Sequence, residues 1–396
     1  MFFDKKILVG VTGGIAAYKA AFLVREFIKK SADVRVVMTE AATQFIAPLT
    51  FASLSEHKVA VGLFEDGYES ATAHIDWARW PDIIVICPAT ANTMGKVRHG
   101  LADNMLTTLI LASTAPVVFC PAMNVEMYKS QIYQDNEKYL VERGYHVIQP
   151  DQGDLACGET GIGRLAQTDE ILLTVNYILN SSDELRGKKV LVTAGPTHEA
   201  LDPVRYLTNR SSGKMGYALA EQAVMRGAVV TLVSGPTHLP RPFKTIVRNV
   251  VSAQDMSEAV HELMPEHDIL IMAAAVADFR PAVSATEKIK KESMDHSLQL
   301  ETNTDILQSV SKNKGQKLFI GFARETENEL SFAVEKLKRK NCDLLILNNP
   351  KKPGAGFDVD TNIVTILKKN GDHKQLEKMS KTKVAQAILD QVQLLL

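Results

Sequence analysis

The feature that most limits what this chain can fold into is a pattern that occurs twice: a short apolar strand, a glycine turn, then a helix. Ile7-Leu8-Val9-Gly10-Val11 ends in Thr12-Gly13-Gly14 and is followed, over residues 16–30, by apolar positions at helical spacing. The pattern restarts at Lys189-Val190-Leu191-Val192, passes through Thr193-Ala194-Gly195-Pro196-Thr197, and reaches a helix over 216–226. Further buried-strand candidates are 34–38, 83–87, 117–120 and 146–148 in the first half. In the second they are 229–233, 269–273, 319–322, 344–347 and 363–367. Their nearly continuous apolar character predicts parallel strands covered on both faces. The expected fold class is α/β, two tandem doubly wound and mostly parallel sheets, and 396 residues suit two such domains. The short polar run Asn180-Ser181-Ser182-Asp183-Glu184 marks the boundary, giving domains 1–180 and 189–396 with a linker at 181–188.

Charge narrows the partners. Lys+Arg 45 against Asp+Glu 46 leaves a net charge of -1, which supplies no overall attraction to nucleic acid or an anionic membrane. Small molecules are the expected partners. The opening Met1-Phe2-Phe3-Asp4-Lys5-Lys6 has no signal-peptide pattern, and no apolar run approaches transmembrane length. The four cysteines, Cys87, Cys120, Cys157 and Cys342, lack any CxxC spacing, so neither a zinc site nor a disulfide framework is expected. The expected location is the reducing cytoplasm.

Ligands of open α/β sheets bind outside the carboxyl ends of the strands, and the unusual residues lie there. Gly13-Gly14 ends the first strand; alone it reads as a tight turn. Cys87-Pro88-Ala89-Thr90-Ala91-Asn92-Thr93 and Pro121-Ala122-Met123-Asn124-Val125-Glu126-Met127 follow two others, each with small residues and an Asn that an Asx turn would also explain. His74 stands in Ala73-His74-Ile75-Asp76-Trp77; a lone His is more often structural. Cys157 sits in the glycine-dense stretch Asp154-Leu155-Ala156-Cys157-Gly158-Glu159-Thr160-Gly161-Ile162-Gly163-Arg164, too irregular for a core element and a candidate for a reactive loop or lid.

In this order the segments resemble the flavin-dependent phosphopantothenoylcysteine decarboxylases over the whole first half. That resemblance implies FMN held by the Gly13-Gly14 turn and the Asn92 loop, a base at His74, recognition of the substrate carboxylate by Asn124, and a proton donor at Cys157. Tyr128 departs from it, standing where that family's Pro-x-Met-Asn-x-x-Met motif usually ends in Trp.

In the second half, residues 195–216 run Gly-Pro-Thr-His-Glu-Ala-Leu-Asp-Pro-Val-Arg-Tyr-Leu-Thr-Asn-Arg-Ser-Ser-Gly-Lys-Met-Gly. A turn explains the Gly and Pro. Ser211-Ser212-Gly213 at a helix start suits a phosphate, because exposed backbone N–H groups and the dipole favour an anion there. No Walker A order is present. Ala273 to Pro281 follows a buried strand and contains Asp278 and Phe279; Glu287-Lys288-Ile289-Lys290-Lys291 is a basic cluster that could equally be a solvated face. An acid, an aromatic and a basic cluster in that order suit metal, base and triphosphate. Phe322 closes another strand, and Lys336 and Lys340 add positive charge.

This set resembles phosphopantothenate-cysteine ligase, and the tandem order resembles the bacterial bifunctional coenzyme A biosynthesis proteins. The resemblance implies CTP as co-substrate, with Mg2+ at Asp278 and Asn209 acting on an acyl-cytidylate. It also implies Lys288 in the step with cysteine, Arg205 near the substrate, and Asp278, Phe279 and Phe322 around the nucleotide. 4'-Phosphopantothenate and cysteine would be joined, and the product decarboxylated to 4'-phosphopantetheine. A homo-oligomer of decarboxylase trimers joined by ligase dimers is implied as well. Arg324, where relatives commonly have a small residue, and Asn348-Asn349-Pro350, in place of a frequent Ala-Asn-Asp, are departures. Two other readings remain in view: a flavin cysteine decarboxylase of another substrate, which the ligase half disfavours, and a catalytically inactive regulatory flavoprotein, which His74, Asn124 and Cys157 together disfavour.

Overall fold

The computed structural model describes residues 1–63, 72–156, 158–290, 297–324, 329–348 and 359–396, with the backbone alone for Arg324 and residues 329–332. The chain divides into two compact units, Met1–Asn180 and Ser181–Leu396.

The first unit is built on β1 (Lys6–Val11), β2 (Asp33–Met38), β3 (Ile83–Ala89), β4 (Val117–Pro121) and β5 (His146–Val147), paired in parallel in the order β2-β1-β3-β4-β5. The continuous apolar runs have the expected cause: every residue of β3 and β4 is buried. Helix Ala17–Lys29 turns Ala17, Ala20, Leu23, Val24 and Phe27 onto one face of the sheet, and helix Thr168–Asn180 adds Ile171, Leu172 and Val175 there. The opposite face is covered by Met94, Leu106, Leu109, Tyr133 and Leu140. Strand order reverses between β1 and β3, which opens a crevice at the carboxyl ends of those two strands.

The glycine-dense stretch differs from the irregular loop expected of it. It forms an antiparallel hairpin, β6 (Asp151–Asp154) with β7 (Thr160–Arg164), lying on the loop after β4. Its glycines answer to that contact: a Cβ at Gly163, where φ is +141, would stand 2.3 Å from the Met123 carbonyl oxygen, and one at Gly161 2.8 Å from a Val125 methyl. Small residues here let the hairpin lie flat on its neighbour.

The second unit carries β8 (Lys189–Ala194), β9 (His198–Ala200), β10 (Tyr206–Thr208), β11 (Val229–Ser234), β12 (Thr245–Asn249), β13 (Ile269–Met272), β14 (Phe279–Pro281), β15 (Leu300–Thr302), β16 (Leu318–Arg324), β17 (Leu344–Asn348), β18 (Thr361–Asn362), β19 (Val364–Lys368), β20 (His373–Gln375) and β21 (Met379–Ser380). The main sheet runs β12-β11-β8-β13-β16-β17-β19-β20, parallel as far as β17 and antiparallel beyond it. β12 has no counterpart in the sequence reading, because at the sheet edge only Thr245 of its five residues is buried. The segment read as a linker is part of this unit: Ser182 N donates to Met225 O and Leu185 N to Arg226 O, both at 2.8 Å, and Leu185 is fully buried.

Candidate functional sites

In the first unit the ends of β1 and β3 are laced together by one hydroxyl. Thr12 Oγ1 donates to the Pro88 carbonyl at 2.7 Å and accepts from Thr90 N at 3.0 Å. Thr90 then caps helix Ala91–Arg98 by accepting from Thr93 N at 3.3 Å, which leaves Asn92 exposed in the first turn. Gly13 and Gly14 follow Thr12. A Cβ at Gly13 would stand 2.5 Å from Ala41 Cβ, so packing alone demands glycine there, whereas at Gly14 it would meet only Thr90 Cγ2 at 3.8 Å. Gly14 thus has room for a side chain that Gly13 lacks, while its N–H donates to Thr12 O at 3.0 Å and its carbonyl accepts from Ala17 N at 2.9 Å. At the neighbouring end of β2, Thr39 Oγ1 is buried without a hydrogen-bond partner, a residue the sequence reading passed over. A bare turn, a capped helix start and an unused hydroxyl at one switch point fit the phosphate and ring edge of a flavin nucleotide.

Asn124, after β4, has both ends of its amide engaged. Oδ1 accepts from Glu126 N at 2.8 Å, and Nδ2 donates to Glu159 Oε2 of the hairpin at 2.7 Å. Met123 N bonds the Gly163 carbonyl at 3.0 Å. Behind them, Tyr128 Oη donates to Gln149 Oε1, and Gln149 Nε2 donates to Glu137 Oε1 at 2.6 Å. Burial and the neighbouring Glu137 push the Tyr128 phenol above its ordinary range. His74 is half-buried on helix Ala73–Arg79, and Cys157 lies outside the described residues. Cys87 and Cys120 are buried thiols in the core, and burial pushes that of Cys120 well up.

The second unit has a cleft of about 480 Å3 at the carboxyl ends of β13 and β16, lined by Asn209, Ser211, Ser212, Gly213, Asp278, Phe322, Lys336 and Lys340. Gly213 caps helix Lys214–Met225 with φ +76, and its N–H is bonded by Ser211 Oγ at 3.3 Å. Asn209 Nδ2 donates to the Val276 carbonyl at 2.8 Å, which ties the Ser-Ser-Gly turn to the chain after β13. Asn303 closes the far side through its N–H to Asp278 O at 2.8 Å and its Nδ2 to Ala277 O at 2.9 Å. Lys340 Nζ pairs with Asp305 at 3.1 Å, and Asp305 caps the following helix through Gln308 N.

Three expected residues lie apart from this cleft. Phe279 is exposed on β14, and Lys288 is exposed on the segment before residue 291. Arg205 binds Asp202 by Nε at 3.0 Å and Nη2 at 2.6 Å, and its Nη2 reaches the Ile289 carbonyl at 3.1 Å. That guanidinium, helped by the N–H groups of Val204, Arg205 and Ile289, holds the Asp202 carboxyl well below the usual carboxylate range. Asp202 thus brings Arg205 and the Lys288 segment together. Lys291, Asn349 and Pro350 lie outside the described residues; Asn348 lines the cleft.

The sequence reading missed Lys381, Asn303 and Asp305 among the lining residues. Asn303-Thr304-Asp305 carried a signal, a polar run ending in a helix cap. Lys381 had none: it opens the last helix and is buried, with β18 paired to β21 beside it. Among the described residues no three His, Cys, Asp or Glu side chains group as a metal site. A magnesium ion bound largely by substrate phosphates needs only one or two protein carboxylates, and exposed Asp278 fits that share.

Two sites at the carboxyl ends of two mostly parallel sheets define a class: a flavoprotein-type domain followed by a nucleotide-binding-type α/β domain. Two families match the chain accordingly, Flavoprotein over residues 3–180 and the DNA/pantothenate metabolism flavoprotein C-terminal domain over 185–395. The chain is 46% identical over 393 residues to the Coenzyme A biosynthesis bifunctional protein CoaBC of Bacillus subtilis (strain 168), covering 98% of this chain and 97% of that one. It is 41% identical over 392 residues to the protein of that name from Escherichia coli (strain K12), covering 98% and 96%. The solved C-terminal domain of a CoaBC protein is 43% identical, with TM-score 0.47, over 54% of this chain and 97% of that one. The chain belongs to the family of bifunctional coenzyme A biosynthesis proteins.

Proposed function

We propose that the chain makes 4'-phosphopantetheine from 4'-phosphopantothenate and cysteine in two steps, ligation in the second unit and decarboxylation in the first. The observation that carries this reading is the pairing, in one chain of this family, of a flavin-type switch-point crevice with a cleft that sets a bare helix start against Lys336 and Lys340.

In the ligase step the pantothenate carboxylate attacks the α-phosphorus of CTP, pyrophosphate leaves, and the cysteine amine then displaces CMP from the acyl-cytidylate. Lys336, Lys340 and the Ser211-Ser212-Gly213 turn offset charge on the phosphate oxygens. Asp278 would carry Mg2+, which neutralises the leaving pyrophosphate. Asn209 sits between the phosphate turn and the 275–278 segment and would hold the anhydride; Arg205 and Lys288 act from the adjoining segment on the pantothenate and the incoming amine.

In the decarboxylase step, a cysteinyl carboxylate loses CO2 readily once its β-carbon is oxidised to a thioaldehyde, two carbons from the carboxylate carbon, because the C=S sulfur can then take the electron pair as an enethiolate. The Gly13-Gly14 turn, Thr39 and the helix start at Asn92 would hold FMN, which would supply the reversible two-electron oxidation this requires. His74 takes the thiol proton, Asn124 donates to the carboxylate, and Cys157 returns a proton to carbon after CO2 has left.

Exposed Ile15, Tyr18, Phe22, Phe45 and Leu49 around the first helix give the trimeric contact of the proposed assembly an apolar surface. The site of action is proposed to be the cytoplasm; no described helix is long and apolar enough to cross a membrane. The test is mass analysis of products from purified protein with 4'-phosphopantothenate, cysteine, Mg2+ and either CTP or ATP. Pyrophosphate release and 4'-phosphopantetheine with CTP are expected; neither product with either nucleotide would overturn the reading.

A further inference from the structure

Asn124, proposed to bind a substrate carboxylate, already donates through Nδ2 to a carboxylate of the chain itself, Glu159 Oε2 at 2.7 Å. Oδ1 of the same amide is held by Glu126 N, which fixes the direction in which Nδ2 points. Glu159 stands just before β7, and β7 is fastened to the Asn124 loop by Met123 N to Gly163 O and by glycines that admit no side chain. We propose that Glu159 is a positioning and specificity residue: it occupies on Asn124 the place of the substrate carboxylate and gives it up when substrate arrives.

The inference rests on the reading of Asn124 and follows from charge. Two carboxylates cannot share one amide without repulsion, so a ligand carrying a carboxylate binds against Glu159. A ligand without one leaves the Glu159–Asn124 bond in place. The substrate is thereby coupled to a rearrangement at Glu159, two residues from Cys157 in sequence, whereas the decarboxylated product is not. Glu159 thus weakens the carboxylate form relative to the product form, because part of the substrate's binding energy goes into displacing the Glu159 side chain from Asn124.

The test uses the full-length flavin-loaded protein and two unreactive ligands that differ only in the carboxylate: 4'-phosphopantothenoylalanine and the N-ethylamide of 4'-phosphopantothenate. Affinities are read from the change in flavin absorbance, which reports the first unit and not the ligase cleft. Glu159→Gln, which keeps the length and an acceptor oxygen but removes the charge, and Glu159→Ala should both raise the preference for the alanine ligand by roughly three- to tenfold, the scale of one net hydrogen bond at an exposed site. A merely structural role for Glu159 would weaken both ligands together and leave the preference unchanged, which overturns the inference. Asn124→Ala separates the two claims. A lowered preference there, with an unchanged preference in both Glu159 variants, overturns this inference alone; an unchanged preference in Asn124→Ala overturns the Asn124 reading and this inference with it.

Discussion

The two sites occupy the same place on the same kind of sheet and are built in opposite ways. In the first unit mostly neutral groups converge from four strand ends and are locked by short bonds between segments, Thr12 to Pro88 and Thr90, Met123 to Gly163, Asn124 to Glu159. In the second, a walled cleft gathers Lys336, Lys340, Lys381 and Lys214 with Asp278 and Asp305. The same kind of open α/β sheet can therefore serve geometry or charge, according to what the loops bring. A decarboxylation needs proton donors and acceptors held at fixed places, while activation of a carboxylate by a triphosphate needs compensation of several negative charges.

The comparison breaks hardest at Cys157. Replacing it with Ser leaves the shape almost unchanged but substitutes a hydroxyl that is a far weaker acid than a thiol of pKa ~8.5. Cys157→Ser should release CO2 about once per active site, yield the enethiol instead of 4'-phosphopantetheine, and leave ligation intact. Anaerobic single-turnover mass analysis checks this, and normal pantetheine production would exclude Cys157 as the essential donor.

Asn209→Asp comes next. It exchanges an amide that donates to the Val276 carbonyl for a carboxylate that faces it, at a cost of about 1–3 kcal/mol from the lost donor alone, with further repulsion of the charge that grows as cysteine attacks. Ligation should fall by on the order of 100-fold, consistent with ~3 kcal/mol, with acyl-cytidylate accumulating in quenched reactions, while decarboxylation of supplied phosphopantothenoylcysteine stays at its normal rate. Undetectable pyrophosphate release would move Asn209 to substrate binding.

A charge-built site should also respond to salt more strongly than a geometry-built one. Lys340→Ala should raise the KM for CTP about tenfold, one lost charged contact near ~1.4 kcal/mol. Raising ionic strength should weaken CTP binding, where several charges are screened together, far more than it shifts the decarboxylase KM, where the single exposed carboxylate of Glu159 faces the substrate. Equal salt sensitivity in the two half-reactions would collapse the distinction.

The smallest effect is expected at Tyr128. Tyr128→Phe removes the hydroxyl that donates to Gln149 and, through it, orders Glu137, at a cost of about 1 kcal/mol. A fall in melting temperature of about 2–4 °C is expected for a unit of this size, with a two- to threefold rise in decarboxylase KM (about 0.5 kcal/mol). An unchanged KM would confine this network to stability.

Much of the site was legible before the fold. Gly13, Gly14, Asn92 and Asn124 follow strands whose apolar runs announce them, and Ser211-Ser212-Gly213 stands at a helix start recognisable from its small residues. The placement of Phe279 and Lys288 was not legible, since the chain after β13 leaves the cleft as an antiparallel pair, β14 with β15. The reactive-loop reading of the glycine stretch met a similar limit: glycine density signals small residues but not what they lie against, and here they lie against Met123 and Val125.

What the sequence determined by itself is what local physics controls: apolar runs long enough for covered strands, 3.6-residue periodicity in the helices, and turn residues at strand ends where ligands bind. Only the tertiary structure decided the pairings that join distant segments. Lys381, from the last helix, enters a cleft that begins at Asn209. β19 and β20 reverse direction at the sheet edge, Leu185 packs into the second unit instead of a linker, and Glu159 meets Asn124. Burial and hydrogen-bond satisfaction across long sequence separations select those contacts, and no window of the chain short enough to show a period contains both partners.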